Sequence, residues 1–437
     1  MKKTACLILC LILPLLCLSR PAAGKVYIDI LSPAFQKFPV AIPDFAPLPG
    51  SETAGALATE IPGKLSAALE LTGFFRVVDR KAYLESPGTP EGEIRFSDWR
   101  AVGSEYLVKG GFEENGETLS LEFRLYDVVE GMLLTGKRYT GKRMDEKAMV
   151  YRMAGEILQT LTGDEGVFNT EIVFTGKKDR FSDLYAVQFD GSDFRRLTNR
   201  KTITLLPRWS GDGSKIAYTD YTRGNPDLYV LNLGTGMSKC IASKGGLNVS
   251  GGWSPDGRKM LVVSSREGNE EIYVLDLETG NSTRLTNDPA IDVSPSWSPD
   301  GRKIAFVSSR SGSPQIFLME ADGSGVRRLT FEGNYNSSPS WSPSGMKIAY
   351  EGRTGGQFQI FTIDETGRNN LQLTYENGGA ESPSWSPDGR FIAFQGRRNG
   401  RGSIAVINAN GLNLRVLYGG KDLDASSPAW SPRLNLY

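Results

Sequence analysis

Ser294 to Thr330 reads S-P-S-W-S-P-D-G-R-K-I-A-F-V-S-S-R-S-G-S-P-Q-I-F-L-M-E-A-D-G-S-G-V-R-R-L-T. The stretch holds four β-prone segments. Ser294–Trp297 is short, Lys303–Val307 is apolar and β-branched, Gln315–Met319 alternates, and Val326–Thr330 closes the unit. Turn residues separate them: Pro299-Asp300-Gly301, Ser311-Gly312-Ser313 and Asp322-Gly323. Outward from this stretch the pattern repeats. Apart from Trp99, every tryptophan falls at Trp209, Trp253, Trp297, Trp341, Trp385 or Trp430, with spacings of 44, 44, 44, 44 and 45. A fixed period of this length marks a repeat architecture. The first turn recurs as Gly211-Asp212-Gly213, Pro255-Asp256-Gly257, Pro343-Ser344-Gly345 and Pro387-Asp388-Gly389. One carboxylate per loop is too few for calcium, and Ser344 replaces Asp without disturbing the repeat, so these residues read as turn formers.

A four-stranded unit repeated around an axis is a propeller blade. The apolar second strand occurs at Ile172, Ile216, Met260, Ile304, Ile348 and Ile392, and the Trp strand also occurs six times, one step later. The unit at Ile172 therefore lacks a Trp strand, and Pro428–Pro432 is a Trp strand with no blade after it. Pairing the two closes six blades into a ring without exposed edges, and predicts a monomer. An open solenoid would want polar caps that the sequence does not show.

The preceding half reads as a separate α/β domain. Val40–Pro43, Phe75–Val78, Tyr106–Gly110 and Leu119–Leu125 are strands; Thr53–Leu71, interrupted by Pro62, and Met144–Leu161 are helices. Gly163–Gly166 is the linker, and the methionines of the second helix are core filler. At the N-terminus, Lys2 and Lys3 precede an apolar stretch from Ala5 to Leu18, followed by Ala22, Ala23 and Gly24. This is an export signal with cleavage predicted before Lys25. The resulting division is a signal at 1–24, an α/β domain at 25–165 and a six-bladed β-propeller at 166–437.

Composition excludes several functions. The chain has no histidine, which removes Ser-His-Asp and Cys-His nucleophile systems and histidine metal ligands. No serine has glycine at both flanking positions of a nucleophile elbow. No catalytic residue, metal site or cofactor is therefore expected. Cys240 alone remains once the signal is gone, so no intrachain disulfide forms. Lys plus Arg equal Asp plus Glu at 50 each, with −6 on residues 25–165 and +3 on 166–437. Neither half has the basic excess of a nucleic-acid binder. No later stretch is long and apolar enough to span a bilayer.

With its signal, its small α/β domain and W-S-P-D-G-x-K-I-A-F repeats ending at Ala429-Trp430-Ser431-Pro432, the whole chain resembles the TolB family, periplasmic soluble components of the Tol–Pal system of Gram-negative envelopes. Similar blades occur in propellers of prolyl-oligopeptidase-type enzymes; the combination with this N-terminal domain and no catalytic domain is the specific feature. The resemblance implies a non-enzymatic function in outer-membrane integrity and constriction at division. It implies binding of the outer-membrane lipoprotein Pal through the propeller, and of the inner-membrane protein TolA through the segment after the signal. Here that segment is Lys25, Val26, Tyr27, Ile28, Asp29 and Ile30, whose alternation also reads as a first strand of the N-terminal domain. For Pal, the expected site is the channel mouth, at residues just before each Trp strand: Thr204 and Leu205, Asn248 and Val249, Asp292 and Val293, Asn336 and Ser337, Glu381, and Ser426. Their chemistry varies while Trp is constant, as a recognition surface requires and as plain loop variation also allows. Asp292 and Glu381 are expected in turns that tolerate charge reversal. The alternative function is a propeller that binds a small molecule or glycan in its central channel.

Overall fold

The computed structural model describes residues 36–434 except 50, 52–54, 85–93 and 244. The expected export signal and the Lys25–Ile30 segment lie outside the described residues. The N-terminal sheet runs in the order Phe75–Val77, Phe38–Ala41, Tyr106–Asn115, Thr118–Asp127, Met132–Lys142, and Ala46–Pro47 adds to the third of these. Alternation along the strands sends Val40 and Val108 to one face, and Ala41 and Leu107 to the other. The first face is covered by helices α1 (Leu57–Leu71) and then, later in the chain, a long C-terminal helix; Trp99 of the short helix α2 (Phe96–Ala101) packs on the second. The long helix, α3 (Glu146–Thr162), presents Met149, Met153 and Ile157 to the core and ends on Gly163 at φ +75°.

Pro62 lies inside α1 rather than starting it. Its ring cannot donate to the carbonyl of Ala58, and that carbonyl instead accepts from Phe45 N at 2.9 Å. The lost helical bond is thus replaced by a tie between helix and sheet. The strand Met132–Lys142 has no apolar alternation, because it is an edge strand with most of its side chains exposed or half-exposed. Its ladder to Thr118–Asp127 holds it in place.

The rest is six four-stranded antiparallel sheets. Five take their strands consecutively, as in Asp292–Trp297, Lys303–Ser308, Gln315–Glu320 and Arg327–Arg328. In the sixth, the strand Asp424–Trp430 pairs with Glu171–Lys178, followed by Phe181–Gln188 and Arg195–Arg196. Trp430 opposes Ile172 and Ala429 opposes Val173. The last strand therefore completes the first blade, as the offset counts of the two repeated patterns require. Indoles join neighbouring blades: Trp209 Nε1 donates to Ala429 O at 3.1 Å, Trp253 to Arg208 O at 3.2 Å, and Trp385 to Ser340 O at 3.0 Å.

The repeated turn is held by its own side chains. Ser298 Oγ donates to Asp300 Oδ1 at 2.6 Å, that oxygen accepts from Arg302 N at 3.1 Å, and Lys303 N donates to Ser298 Oγ at 2.9 Å. Where Ser344 stands for Asp, Ser342 and Ser344 hydroxyls meet at 3.1 Å and the turn is kept. Hydrogen bonds from Ser210, Ser214 N and Ser214 Oγ bring the Asp212 carboxyl down to about 2. Asp256 and Asp300 are lowered by their Ser254 and Ser298 hydroxyls in the same way. A depressed carboxylate stabilises the fold above its ordinary value and loses that contribution as pH falls through the folded value. The melting temperature should therefore fall between about pH 4 and pH 2, and Asp212→Asn should flatten that acid limb. A thermal melt series against pH would check it.

The N-terminal domain sits on the face of the ring where the inner strands end. Tyr151 packs edge-on to Phe189 at 5.2 Å, and its hydroxyl donates to Asp190. Lys147 pairs with Asp193 at 2.9 Å, Arg390 lies over Phe74 at 4.0 Å, and Arg433 pairs with Asp164 at 2.9 Å. The propeller residues in these contacts flank its closing strand or lie in turns of two adjacent blades. The opposite face carries the starts of the inner strands.

Candidate functional site: the axial channel and its mouth

Six inner strands wall the channel. Each shifts register by a bulge near its middle. In five of them the residue three before Trp has left-handed backbone: Leu206 (φ +55°), Ser294 (+52°), Ser338 (+52°), Ser382 (+55°) and Ser427 (+52°). Each such residue costs on the order of 1 kcal/mol, and the ring repeats that cost around one channel. Two cavities lie along the axis. One, of about 560 Å3, extends from the strand starts to the Trp layer; the other, of about 530 Å3, lies between the Trp residues and the repeated turns. Trp209, Trp253 and Trp297 line both, so the two meet at the Trp layer.

The predicted mouth residues divide into two classes. Thr204, Asn248, Asp292 and Asn336 each begin an inner strand and are buried within the blades. Thr204 Oγ1 bonds Asp220 at 3.1 Å, Asn248 Oδ1 accepts from Ser264 at 3.2 Å, and Asn336 Nδ2 donates to Gln315 Oε1 at 2.8 Å. Asp292 is 0% exposed and pairs with Arg310 at 2.6 Å. Burial pushes its carboxyl up despite Ser308 and Arg310. The equivalent positions in the remaining blades are buried Ala380 and Ala425. One residue further on, Val249, Val293, Ser337, Glu381 and Ser426 occupy a common register, opposite Val263, Val307, Glu351, Gln395 and Thr175. Val249 and Val293 line the first cavity. Glu381 is half-buried; burial first, and then neighbouring Glu351, raise its carboxyl. Glu351 itself accepts from Ser337 Oγ at 2.7 Å and Ser382 N at 2.6 Å.

One expectation is corrected here. Asp292 and Glu381 are not in turns: each is the first residue of a strand, and Asp292 is a buried member of an ion pair. Counting back from Trp found the right end of each inner strand but began the strand two residues late, at Ser294 where it runs from Asp292. It could not show which of two successive residues turns inward, because the bulge breaks the alternation. Sequence reading also missed exposed apolar residues on this face. Ile203, Ile291 and Tyr335 each precede an inner strand, and Phe331 and Tyr375, 72% and 74% exposed, follow the outer strands of adjacent blades. Their constant offset from Trp was the signal that could have found them. Among the described residues, no three of His, Cys, Asp and Glu group as metal ligands, and no helix is long and apolar enough to cross a membrane.

Comparison with known proteins agrees with this architecture. A family described as the TolB beta propeller domain matches residues 158–434, and one described as the TolB amino-terminal domain matches 26–134. The chain is 49% identical over 231 residues to the Tol-Pal system protein TolB of Syntrophus aciditrophicus, 51% of each chain. It is 40% identical over 237 residues to that of Desulfosudis oleivorans, 53% of each. It thus spans about half the length of the curated relatives it matches. The crystal structure of TolB from Acinetobacter baumannii superposes with a TM-score of 0.78 at 27% identity, covering 91% of this chain and 97% of that one.

Proposed function

The chain belongs to the TolB family, and on that premise we propose that it is a monomeric, non-enzymatic protein-interaction component of the Tol–Pal system, exported to the periplasm. Its open channel mouth receives a Pal-like outer-membrane lipoprotein. The segment Lys25–Ile30 engages a TolA-like inner-membrane protein, and the bridge supports outer-membrane integrity and constriction at division. The observation that carries the mouth assignment is its chemistry on a constant backbone. At one register position the ring presents Leu205, Val249, Val293, Ser337, Glu381 and Ser426, on the face that the N-terminal domain leaves open. Exposed Ile203, Ile291, Tyr335, Phe331 and Tyr375 add apolar area around it. Closure pairs the last strand into the first blade, and the outermost strands that remain as edges are only two to five residues long, which favours docking on a face or in the channel.

Titration calorimetry with a purified Pal-like domain tests this reading. Glu381→Lys should weaken the complex by roughly 2–5 kcal/mol if its partner group is buried, and by much less at the rim. The melting curve of the free protein should be unchanged. Asp256→Lys, in a repeated turn on the other face, should bind as wild type does. Equal affinity for wild type and Glu381→Lys would move the site away from the mouth.

A further inference from the structure

The residue just before each Trp forms one layer around the axis: Arg208, Gly252, Ser296, Ser340, Ser384 and Ala429, all lining the first cavity. The one long side chain of this layer is flanked, in the adjacent blades, by its two smallest residues. A Cβ added at Gly252 would meet nothing within 4 Å, so the space beside Arg208 is open. Among the described residues no carboxylate pairs with Arg208; Nη1 donates only to Pro207 O, at 2.9 Å. Half-buried on the cavity wall, the guanidinium is held below its ordinary value by desolvation. Among the described residues its other donors make no hydrogen bond.

The rest of the cavity offers donors as well. The hydroxyls of Ser296 and Ser340 make no hydrogen bond among the described residues, while Ser384 Oγ accepts from Trp430 N at 2.9 Å. Glu270 is the only carboxylate of the lining, and its place is at the mouth, where its carbonyl accepts from Asp292 N at 2.9 Å. A half-buried cation without a carboxylate partner, beside neutral hydroxyls in one cavity, suits an anion.

We propose that the axial cavity is a carboxylate-binding site centred on Arg208. A single guanidinium balances one negative charge, and its planar fork matches a carboxylate's two oxygens. Serine hydroxyls across the layer supply the remaining hydrogen bonds. The cavity's volume of about 560 Å3 admits a small organic acid, or an aspartate or glutamate side chain carried in on a polypeptide. This site does not depend on what docks around the mouth, and stands whether or not a Pal-like protein does.

The test is titration of the full-length mature protein with acetate at constant ionic strength, followed by tryptophan fluorescence, since Trp209 adjoins Arg208. Wild type should show a saturable change. Arg208→Gln should raise its midpoint about tenfold or more, without altering the melting temperature of the unliganded protein. The double variant Ser296→Ala/Ser340→Ala should raise it several-fold, and decides the question if Arg208→Gln does not fold. Blocked peptides Gly-Gly-Asp-Gly-Gly and Gly-Gly-Asn-Gly-Gly separate the two sources. Binding of the Asp peptide more tightly than acetate, with none for the Asn peptide, assigns the site to a partner's side chain; binding of acetate alone assigns it to a free acid. Absence of a saturable change with either probe, or equal midpoints for wild type and the variants, would overturn the site.

Discussion

Deleting the chain from Ser427 onward should destabilise the ring by several kcal/mol. The deletion strips most of the inner strand from the blade that begins at Glu171. It also removes Trp430, which is 6% exposed, stacks on Phe391 at 6.1 Å and donates from Nε1 to Thr170 Oγ1 at 2.9 Å. Ser431 is lost with it, and that residue exchanges two bonds with Glu171, at 2.9 and 2.8 Å. Trp430→Ala alone should cost about 3–5 kcal/mol, the usual range for a buried aromatic truncated to a methyl. Trp297→Ala should cost less, because Trp297 is only half-buried and its indole nitrogen bonds to nothing. Urea unfolding followed by circular dichroism would rank the three. A truncated protein with the wild-type midpoint would mean that the ring is not closed by this strand.

Asp292→Lys should be the second large effect, and its readout is stability rather than binding. The carboxylate is fully buried at the start of its strand and holds Arg310, whose guanidinium lies over Phe317 at 5.3 Å. Removing one member of a buried pair costs about 3–5 kcal/mol, because the other charge stays behind uncompensated. A lysine there adds a second cation beside the first. Asp292→Asn should be milder, since the amide keeps an acceptor for Arg310. Glu381→Lys, one register position further on and half-buried, should unfold at the wild-type midpoint. Equal urea midpoints for Asp292→Lys and wild type would show that the pair carries no stability.

The contrast between Asp292 and Glu381 marks how far the sequence could be read. The period of Trp209 to Trp430, the turn residues Asp212 to Asp388 and the offset between Ile172 and Trp430 give the blade count and the closure outright. They are set by local turn chemistry and by burial that repeats in every blade. The two long helices and four of the N-terminal strands follow from apolar spacing. The strand Met132–Lys142 does not, because an edge strand exposed along its length needs no apolar pattern. Pro62 reads as a break in the helix, yet the helix runs through it, since the carbonyl it frees is satisfied by Phe45 from another element. At the mouth, the left-handed residues Leu206, Ser294, Ser338, Ser382 and Ser427 insert bulges that no serine or leucine announces. The sequence therefore places the mouth to within a residue and leaves open which side chain of each pair faces the channel.

Site-specific photo-crosslinking in intact cells decides whether the open mouth is the docking face. A photoreactive residue replaces Glu381 or Val293 at the mouth, and Met346, 62% exposed in a repeated turn of the opposite face, in a third variant. A crosslink to an outer-membrane lipoprotein is expected from Glu381 and Val293, and none from Met346. A lipoprotein crosslink from Met346 with none from the mouth would contradict it.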